Sequence, residues 1–114
     1  MDNQQSFSEH IKAAVTSWPG VDAGPGKRGE FAFTVGRNEI GHLHDDKLVH
    51  FFFPREIGAR LREEGRVGLH PVAPKSPKLA SRQINNDEDV QDVIELMKLN
   101  YDRVIRKHGL PEVS

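Results

Sequence analysis

The sequence predicts a single α+β domain in which one antiparallel sheet is packed with helices. Three observations support this prediction. Apolar residues recur at helical spacing near both ends of the chain, and three apolar strands follow one another between them. The breaks between these strands are too short for crossover helices, so the strands must be antiparallel neighbours. With 114 residues, of which 36% are hydrophobic, the chain is large enough for one core. The domain is expected to span 1–114, with loose tails at 1–5 and 110–114.

The predicted order of elements is α-β-β-β-α-β-β-α, and its first half begins with a helix over about 7–17. A capping box of Ser6 and Glu9 starts this helix, and Pro19 stops it. The stretch 21–30 is rich in glycine and is predicted to be a loop long enough to cover part of the domain. The segments EFAFTV, EIGHLH and KLVHFFF then form a three-strand meander.

The second half of the chain is predicted to contain two helices and two strands. Pro54 stands at the start of the second helix, and Gly65 is well placed to end it in left-handed geometry. The segments RVGLHPV and LASRQI are the two further strands. The last helix is capped by Asn85-Asn86 and carries one apolar stripe as far as Gly109.

The composition excludes several functional classes. Lys and Arg total 16 against 17 Asp and Glu, so no global charge favours nucleic acid or an anionic membrane. The chain has no cysteine, which excludes disulfides, thiol nucleophiles and thiolate zinc sites. There is no signal peptide and no apolar run approaching the ~20 residues of a membrane span. A cytoplasmic protein without a membrane partner is expected, and its oligomeric state is left open.

The orientation of the histidines depends on the register of the meander. If the hairpin turns are the residue pairs 37–38 and 45–46, His42 and His44 lie on the apolar face that the helices cover. The same register makes His50 point to the opposite face. His42 would then be either a core group that hydrogen-bonds a carbonyl or carboxylate, or part of a polar pocket at the end of the sheet.

The sharper interpretation of EIGHLH is a metal site or an acid–base site. Residues two apart on a strand are separated by about 6.5–7 Å at the backbone, so the rings of His42 and His44 can converge on one ion. Such a site needs a third ligand, for which His70, Asp45 and Asp46 are the candidates. A pair of His42 and His70, tuned near neutral pH by partial burial, is the candidate for acid–base catalysis.

A small basic cluster is the other candidate site. Lys75, Lys78 and Arg82, together with Ser76, are candidates to hold a phosphate or carboxylate, or to bind nucleic acid weakly. The aromatic side chains that single-stranded nucleic-acid binders need are missing between residues 54 and 100. A solvated loop is the simpler interpretation, and nucleic acid is not the expected partner.

Five short segments carry a family resemblance: WPGV (18–21), EIGHLH (39–44), FFP (52–54), LH (69–70) and LNYDRV (99–104). The chain resembles the small luciferase-domain proteins over about 16–105, and its tail helix and meander look more distantly like the MmcQ/YjbR-like fold. The resemblance implies a fold and a set of histidines, not bioluminescence. The chain has no flavin-phosphate loop and is too short for a (β/α)8 barrel.

The resemblance also selects among the candidate ligands. His42, His44 and His70 match histidines of the family pattern, so these three form the predicted metal set, with a divalent ion as the candidate cofactor. Two features depart from the pattern: His50 stands where an acidic residue is common, and KSPKLASRQI lacks an expected tryptophan.

The leading functional hypothesis is a non-enzymatic module that binds a small molecule. Its pocket would be lined by Trp18, Phe33, His42, His44 and His70, which combine apolar area with orienting imidazoles. The first alternative is a small metal-dependent or histidine-based enzyme that uses the same histidines. The second is a nucleic-acid or protein adaptor of the MmcQ/YjbR-like type.

Overall fold

A computed structural model of the chain describes residues 6–26, 29–69 and 78–111 and arranges them as one antiparallel sheet with three helices. The helices are α1 (Phe7–Thr16), α2 (Arg55–Glu63) and α3 (Asp87–His108). The strands are β1 (Val21–Pro25), β2 (Phe31–Val35), β3 (Asn38–His44), β4 (Leu48–Phe52), β5 (Gly68–Leu69) and β6 (Leu79–Gln83).

The strands lie in the order β1-β2-β3-β4-β6-β5, and every neighbouring pair is antiparallel. Helix α3 packs across β2 and β3, and α1 packs against α3 and β1. The predicted α+β class is therefore confirmed. The predicted order of elements lacks one strand, because residues 21–25 form β1 instead of a loop.

Strand β1 forms although its sequence is typical of a loop. It pairs with β2 over its whole length, from Val21 opposite Val35 to Pro25 opposite Phe31. At the edge of a sheet only one side of a strand needs ladder hydrogen bonds, so proline and glycine are tolerated there. The intrinsic preference of VDAGP is for a loop, and pairing with β2 overrides it.

The helix ends agree with the local sequence signals. The backbone N–H of Glu9 donates to the Ser6 hydroxyl at 3.2 Å, which satisfies one free donor at the start of α1. The N–H of Asp89 donates to the Asn86 side chain at 2.8 Å at the start of α3. Gly65 follows α2 with a φ of +74°, the left-handed conformation that glycine adopts without a steric cost.

The core lies between the sheet and the helices. Each large side chain fully buried there is worth roughly 1.5–3 kcal/mol of transfer free energy, so this face of the sheet is fixed by packing. Its largest members are Phe33, Phe51, Phe53, Ile11, Ile40, Leu43, Leu61, Ile84, Leu96 and Met97. The helices therefore cover one face of the sheet.

A β-bulge interrupts the pairing of β2 with β3. Thr34 pairs with Glu39, whereas its neighbour Phe33 pairs with Gly41, so Ile40 is an extra residue in β3. The hairpin turn is also one residue earlier than predicted, at 36–37 instead of 37–38.

The bulge decides which residues of β3 face the helices. A Cβ atom built on Gly41 would lie 2.6 Å from the Met97 sulfur, so Gly41 faces α3. Leu43, two residues on, is buried in the core. His42 and His44 alternate with these residues and lie on the other face of the sheet. Their predicted place on the helix-covered face is therefore wrong, because the extra residue Ile40 reverses the alternation.

Asn100 of α3 holds the bulge in place. Its side chain is completely buried, and its amide nitrogen donates to the carbonyl of Ile40 at 3.0 Å and to that of Phe52 at 2.9 Å. Its amide oxygen accepts a hydrogen bond from Nε of Arg103 at 3.0 Å. One side chain thus joins α3 to both β3 and β4 next to the bulge.

Candidate metal centre

Three histidine rings meet on the face of the sheet opposite the core. His42 and His44 project from β3, and His50 lies directly opposite His42 on β4. The ring centroids are 4.9 Å apart for His42 and His44, 5.2 Å for His42 and His50, and 4.4 Å for His44 and His50. One nitrogen from each ring lies within 4.8 Å of the other two. The three rings thus offer three converging nitrogen ligands.

The presence of His50 in this cluster contradicts the predicted register. His44 pairs with Leu48, so the turn between β3 and β4 has three residues instead of two. Asp45 makes this turn possible by adopting a φ of +57°, which aspartate tolerates better than most residues do. The additional residue moves the partner of His42 from Val49 to His50, and therefore brings His50 to the same face.

Glu39 fixes the orientation of His42. Its Oε2 lies 2.9 Å from His42 Nδ1. Residues three apart on a regular strand point to opposite faces, but here the bulge at Ile40 lies between the two and brings them to one side. A carboxylate accepts hydrogen bonds, so Nδ1 carries the proton and Nε2 of His42 keeps its lone pair.

That lone pair points into the cluster. Nε2 of His42 lies 3.1 Å from Nε2 of His44, within hydrogen-bond distance. Nitrogen ligands about 2.0–2.1 Å from a tetrahedral zinc ion are about 3.3–3.4 Å apart. The observed separation is close to this value, so small ring movements would let both nitrogens bind one ion.

The surroundings of the three rings are partly shielded from water. His50 is 6% exposed, and the side chain of His42 is 19% exposed. Imidazoles bind zinc, copper and nickel well, whereas calcium and magnesium prefer oxygen ligands. The cluster can therefore hold a transition-metal ion. The carboxylate of Glu39 is hydrogen-bonded to one of the three imidazoles, as carboxylates are in many metal sites.

The structure brings together only some of the predicted site residues. His42 and His44 meet as predicted, and His50 joins them. Phe33 is buried in the core on the helix side, and the Trp18 ring packs against Tyr101 of α3 with their centroids 5.3 Å apart. Neither aromatic residue lies on the face of the histidines.

His70 and Lys75 lie outside the residues that the structure describes. Lys78 and Arg82 are described, and Arg82 bonds to the carboxylates of Asp89, at 2.7 Å, and Asp92. The side-chain hydrogen bond from Arg82 is the main reason that the pKa of Asp89 lies below its ordinary value. These ion pairs join β6 to the first turns of α3.

A cleft of 680 Å³ adjoins His50. Its floor includes residues that share the face of His50, because His50 pairs with Ser81 and Ser81 with Gly68 across three strands. Its lining comprises Leu48, His50, Gly65, Arg66, Val67, Gly68, Ser81, Arg82, Gln83, Asn85 and Asp89. The cleft and the histidine cluster are therefore neighbours on one side of the sheet.

Comparison with known proteins gives a match to one family. The family model described as Luciferase domain matches residues 37–100, more than half of the chain. The chain belongs to the luciferase domain family. The match begins just before β3 and ends in α3, so it includes the three clustered histidines and Asn100. No curated protein and no solved structure matches the chain.

Within 6–26, 29–69 and 78–111, no helix combines the length and the apolar character needed to cross a bilayer.

Proposed function

We propose that this luciferase-domain protein binds one divalent transition-metal ion through His42, His44 and His50. The observation that carries the proposal is the convergence of one nitrogen from each ring within 4.8 Å. A metal-binding function replaces the predicted pocket of aromatic and histidine residues, since Trp18 and Phe33 pack on the other side of the sheet.

The second support is the way in which Glu39 holds His42. Histidine ligands commonly donate their second N–H to a carboxylate, which fixes the tautomer and makes the ligating nitrogen more basic. The contact of 2.9 Å between Glu39 and His42 has this arrangement, and it leaves Nε2 available to the ion. The same nitrogen lies 3.1 Å from Nε2 of His44, so it is directed at a second candidate ligand.

The ligand set favours Zn²⁺ among abundant ions. Three neutral nitrogen ligands suit Zn²⁺, Cu²⁺ and Ni²⁺, and catalytic zinc sites use three protein ligands with one position left open. The proposal is thus compatible with the small metal-dependent enzyme predicted from the sequence. His70 remains a predicted additional ligand.

Metal titration tests the proposal. The untagged protein is freed of metal by a chelator, and Zn²⁺ is added while calorimetry measures binding and NMR follows the imidazole resonances. We expect one ion per chain and a joint shift of the rings of His42, His44 and His50. His50→Ala should weaken binding by about 10–100-fold or more, because one of three ligands is lost.

His108→Ala is the matched control. His108 is exposed in the last turn of α3 beside the turn between β2 and β3 and does not belong to the histidine cluster, so its loss should leave zinc affinity unchanged. Absence of stoichiometric binding, or equal affinity in His50→Ala and the native protein, would disprove the three-histidine site.

A metal-free acid–base site is the second candidate. The hydrogen-bond chain from Glu39 through His42 to His44 favours it, because a carboxylate that orients one imidazole is a common way to prepare a general base. This candidate predicts turnover that survives chelation and is lost in His42→Ala. The metal proposal predicts that any turnover disappears on chelation and returns with zinc.

A further inference from the structure

We infer that the three-histidine centre keeps an open coordination position for a small organic carboxylate whose remainder lies in the cleft beside His50. This inference rests on the proposed metal site and specifies its ligand. It follows from the charge of the centre, the number of its ligands and the shape and chemistry of the cleft.

The charge of the centre favours an anion. Three imidazoles bind as neutral ligands, so a divalent ion keeps its full charge within the ligand set. The nearby carboxylate of Glu39 is bonded to Nδ1 of His42 and offsets only part of that charge. An anionic oxygen donor in the next coordination position would complete the compensation.

The number of ligands leaves room for such a donor. Among the described residues, the group of histidines, cysteines and carboxylates suited to hold an ion comprises only His42, His44 and His50. Zinc and cobalt take at least four ligands, so the fourth comes from outside this group. A small carboxylate can bind through a single oxygen and meets this requirement.

The cleft provides space for the rest of the molecule. Its volume of 680 Å³ falls within the range of about 300–1,000 Å³ that is usual for small-molecule sites. Gly68 adds no side chain to the floor next to Ser81, while Gln83 and Asn85 bring amide groups to its wall. A ligand with amide or hydroxyl groups would find hydrogen-bond partners there.

The charged residues of the cleft favour one carboxylate over a phosphate group. Arg82 is bonded to Asp89 and Asp92, and Arg66 to Asp92 and Glu95. Guanidinium groups engaged by carboxylates offer little net charge to a polyanion. The metal ion itself would therefore be the main anchor for a single negative charge.

Cobalt substitution tests the inference, because the visible spectrum of Co²⁺ reports its coordination. The full chain is loaded with Co²⁺, and either acetate or N-acetylglycine is added. Both should change the spectrum in a saturable way. N-acetylglycine should bind about ten-fold more tightly, since its amide adds at least one hydrogen bond in the cleft.

A bulky substitution in the cleft distinguishes binding of the carboxylate to the ion from binding of the rest of the ligand in the cleft. Gln83 is exposed, so Gln83→Trp should fold and fill the cleft. It should weaken N-acetylglycine about ten-fold and acetate by less than about two-fold. Gln91→Trp, the same change at an exposed position of α3, should alter neither affinity.

The possible failures are distinguishable. If Co²⁺ does not bind, both the inference and the proposed function are overturned. If Co²⁺ binds but neither carboxylate changes its spectrum, the metal site stands and the open position is refuted; recovery of the response in His70→Ala would identify His70 as the closing ligand. Equal affinities for the two carboxylates, unaffected by Gln83→Trp, would exclude the cleft.

Discussion

Replacing Asn100 with alanine should destabilise the domain and disturb the histidine cluster. The substitution removes the donor that serves the buried carbonyl of Ile40 and the partly buried carbonyl of Phe52. Each lost bond of this kind costs about 1–2 kcal/mol, so the free energy of unfolding should fall by about 2–4 kcal/mol. A domain of this size is stable by only about 5–15 kcal/mol, so the loss is large.

Urea denaturation at low temperature measures this loss, and metal affinity measures its effect on the site. The variant should unfold at lower urea concentration with an unchanged slope, and its thermal midpoint should drop by about 10–20 °C. Because the bulge orients Glu39 and His42, zinc affinity of the still-folded variant should fall by about ten-fold or more.

A comparison with Arg103→Ala distinguishes the effect of losing support for the bulge from the effect of a general change in the packing of α3. Among the described residues, Arg103 donates to the Asn100 oxygen and to neither carbonyl, so its loss removes one hydrogen bond, should cost about 1–2 kcal/mol and should leave zinc affinity intact. The reasoning is refuted if Asn100→Ala costs less than about 0.5 kcal/mol. It is equally refuted if stability falls while zinc affinity and the contacts among the three rings stay as in the native protein.

Three further predictions concern Glu39, Asp89 and Gly41. Glu39→Gln should lower zinc affinity by about 10–100-fold with little change in stability, as calorimetry and melting curves can show. The pKa of Asp89 in the folded state lies below its unfolded value, mainly because Arg82 donates a hydrogen bond to its side chain. The ionised Asp89 therefore stabilises the fold at pH values above the unfolded pKa, and this contribution is lost as the pH falls through the folded pKa. Acid titration of Asp89→Asn should therefore show a shallower loss of stability below about pH 4. Gly41→Ala should destabilise by about 1–3 kcal/mol because its methyl group meets Met97, and Met97→Ala should offset part of that cost in the double variant.

Each of these predictions has a defined contrary outcome. Glu63→Gln, an exposed change on α2, controls for altered net charge, and equal zinc affinities for the two glutamine variants would remove the orienting role of Glu39. Identical acid titrations with and without Asp89 would contradict the pKa argument. Strict additivity of the Gly41 and Met97 substitutions would show that the two positions do not press on each other.

The parts of the fold that could be predicted are those with local signals. Ser6 and Asn86 cap their helices through contacts within three residues, and Gly65 ends α2 by its own backbone freedom. The meander also has a local signature, because short turns permit only antiparallel neighbours. These features need no knowledge of distant residues, so the sequence alone predicts them.

The site could be predicted only in part, because its geometry depends on two single-residue irregularities. The bulge at Ile40 moves His42 and His44 to the outer face, and the third turn residue between His44 and Leu48 moves His50 to the same face. With a side-chain period of two, one residue reverses every orientation beyond it. The bulge is held by Asn100, 60 residues away in the chain, which no local pattern reveals.

The dependence of the site on the bulge also links metal binding to stability. An ion that binds only the folded chain adds about 2.7 kcal/mol to stability at a free concentration of one hundred times its Kd. For the native protein this gain is similar in size to the loss of stability expected for Asn100→Ala. If Asn100 supports the site, however, the variant binds zinc more weakly and gains less than the native protein does at the same concentration. Denaturation of both proteins at one fixed zinc concentration measures this difference, and equal gains would show that Asn100 stabilises the fold without shaping the metal centre.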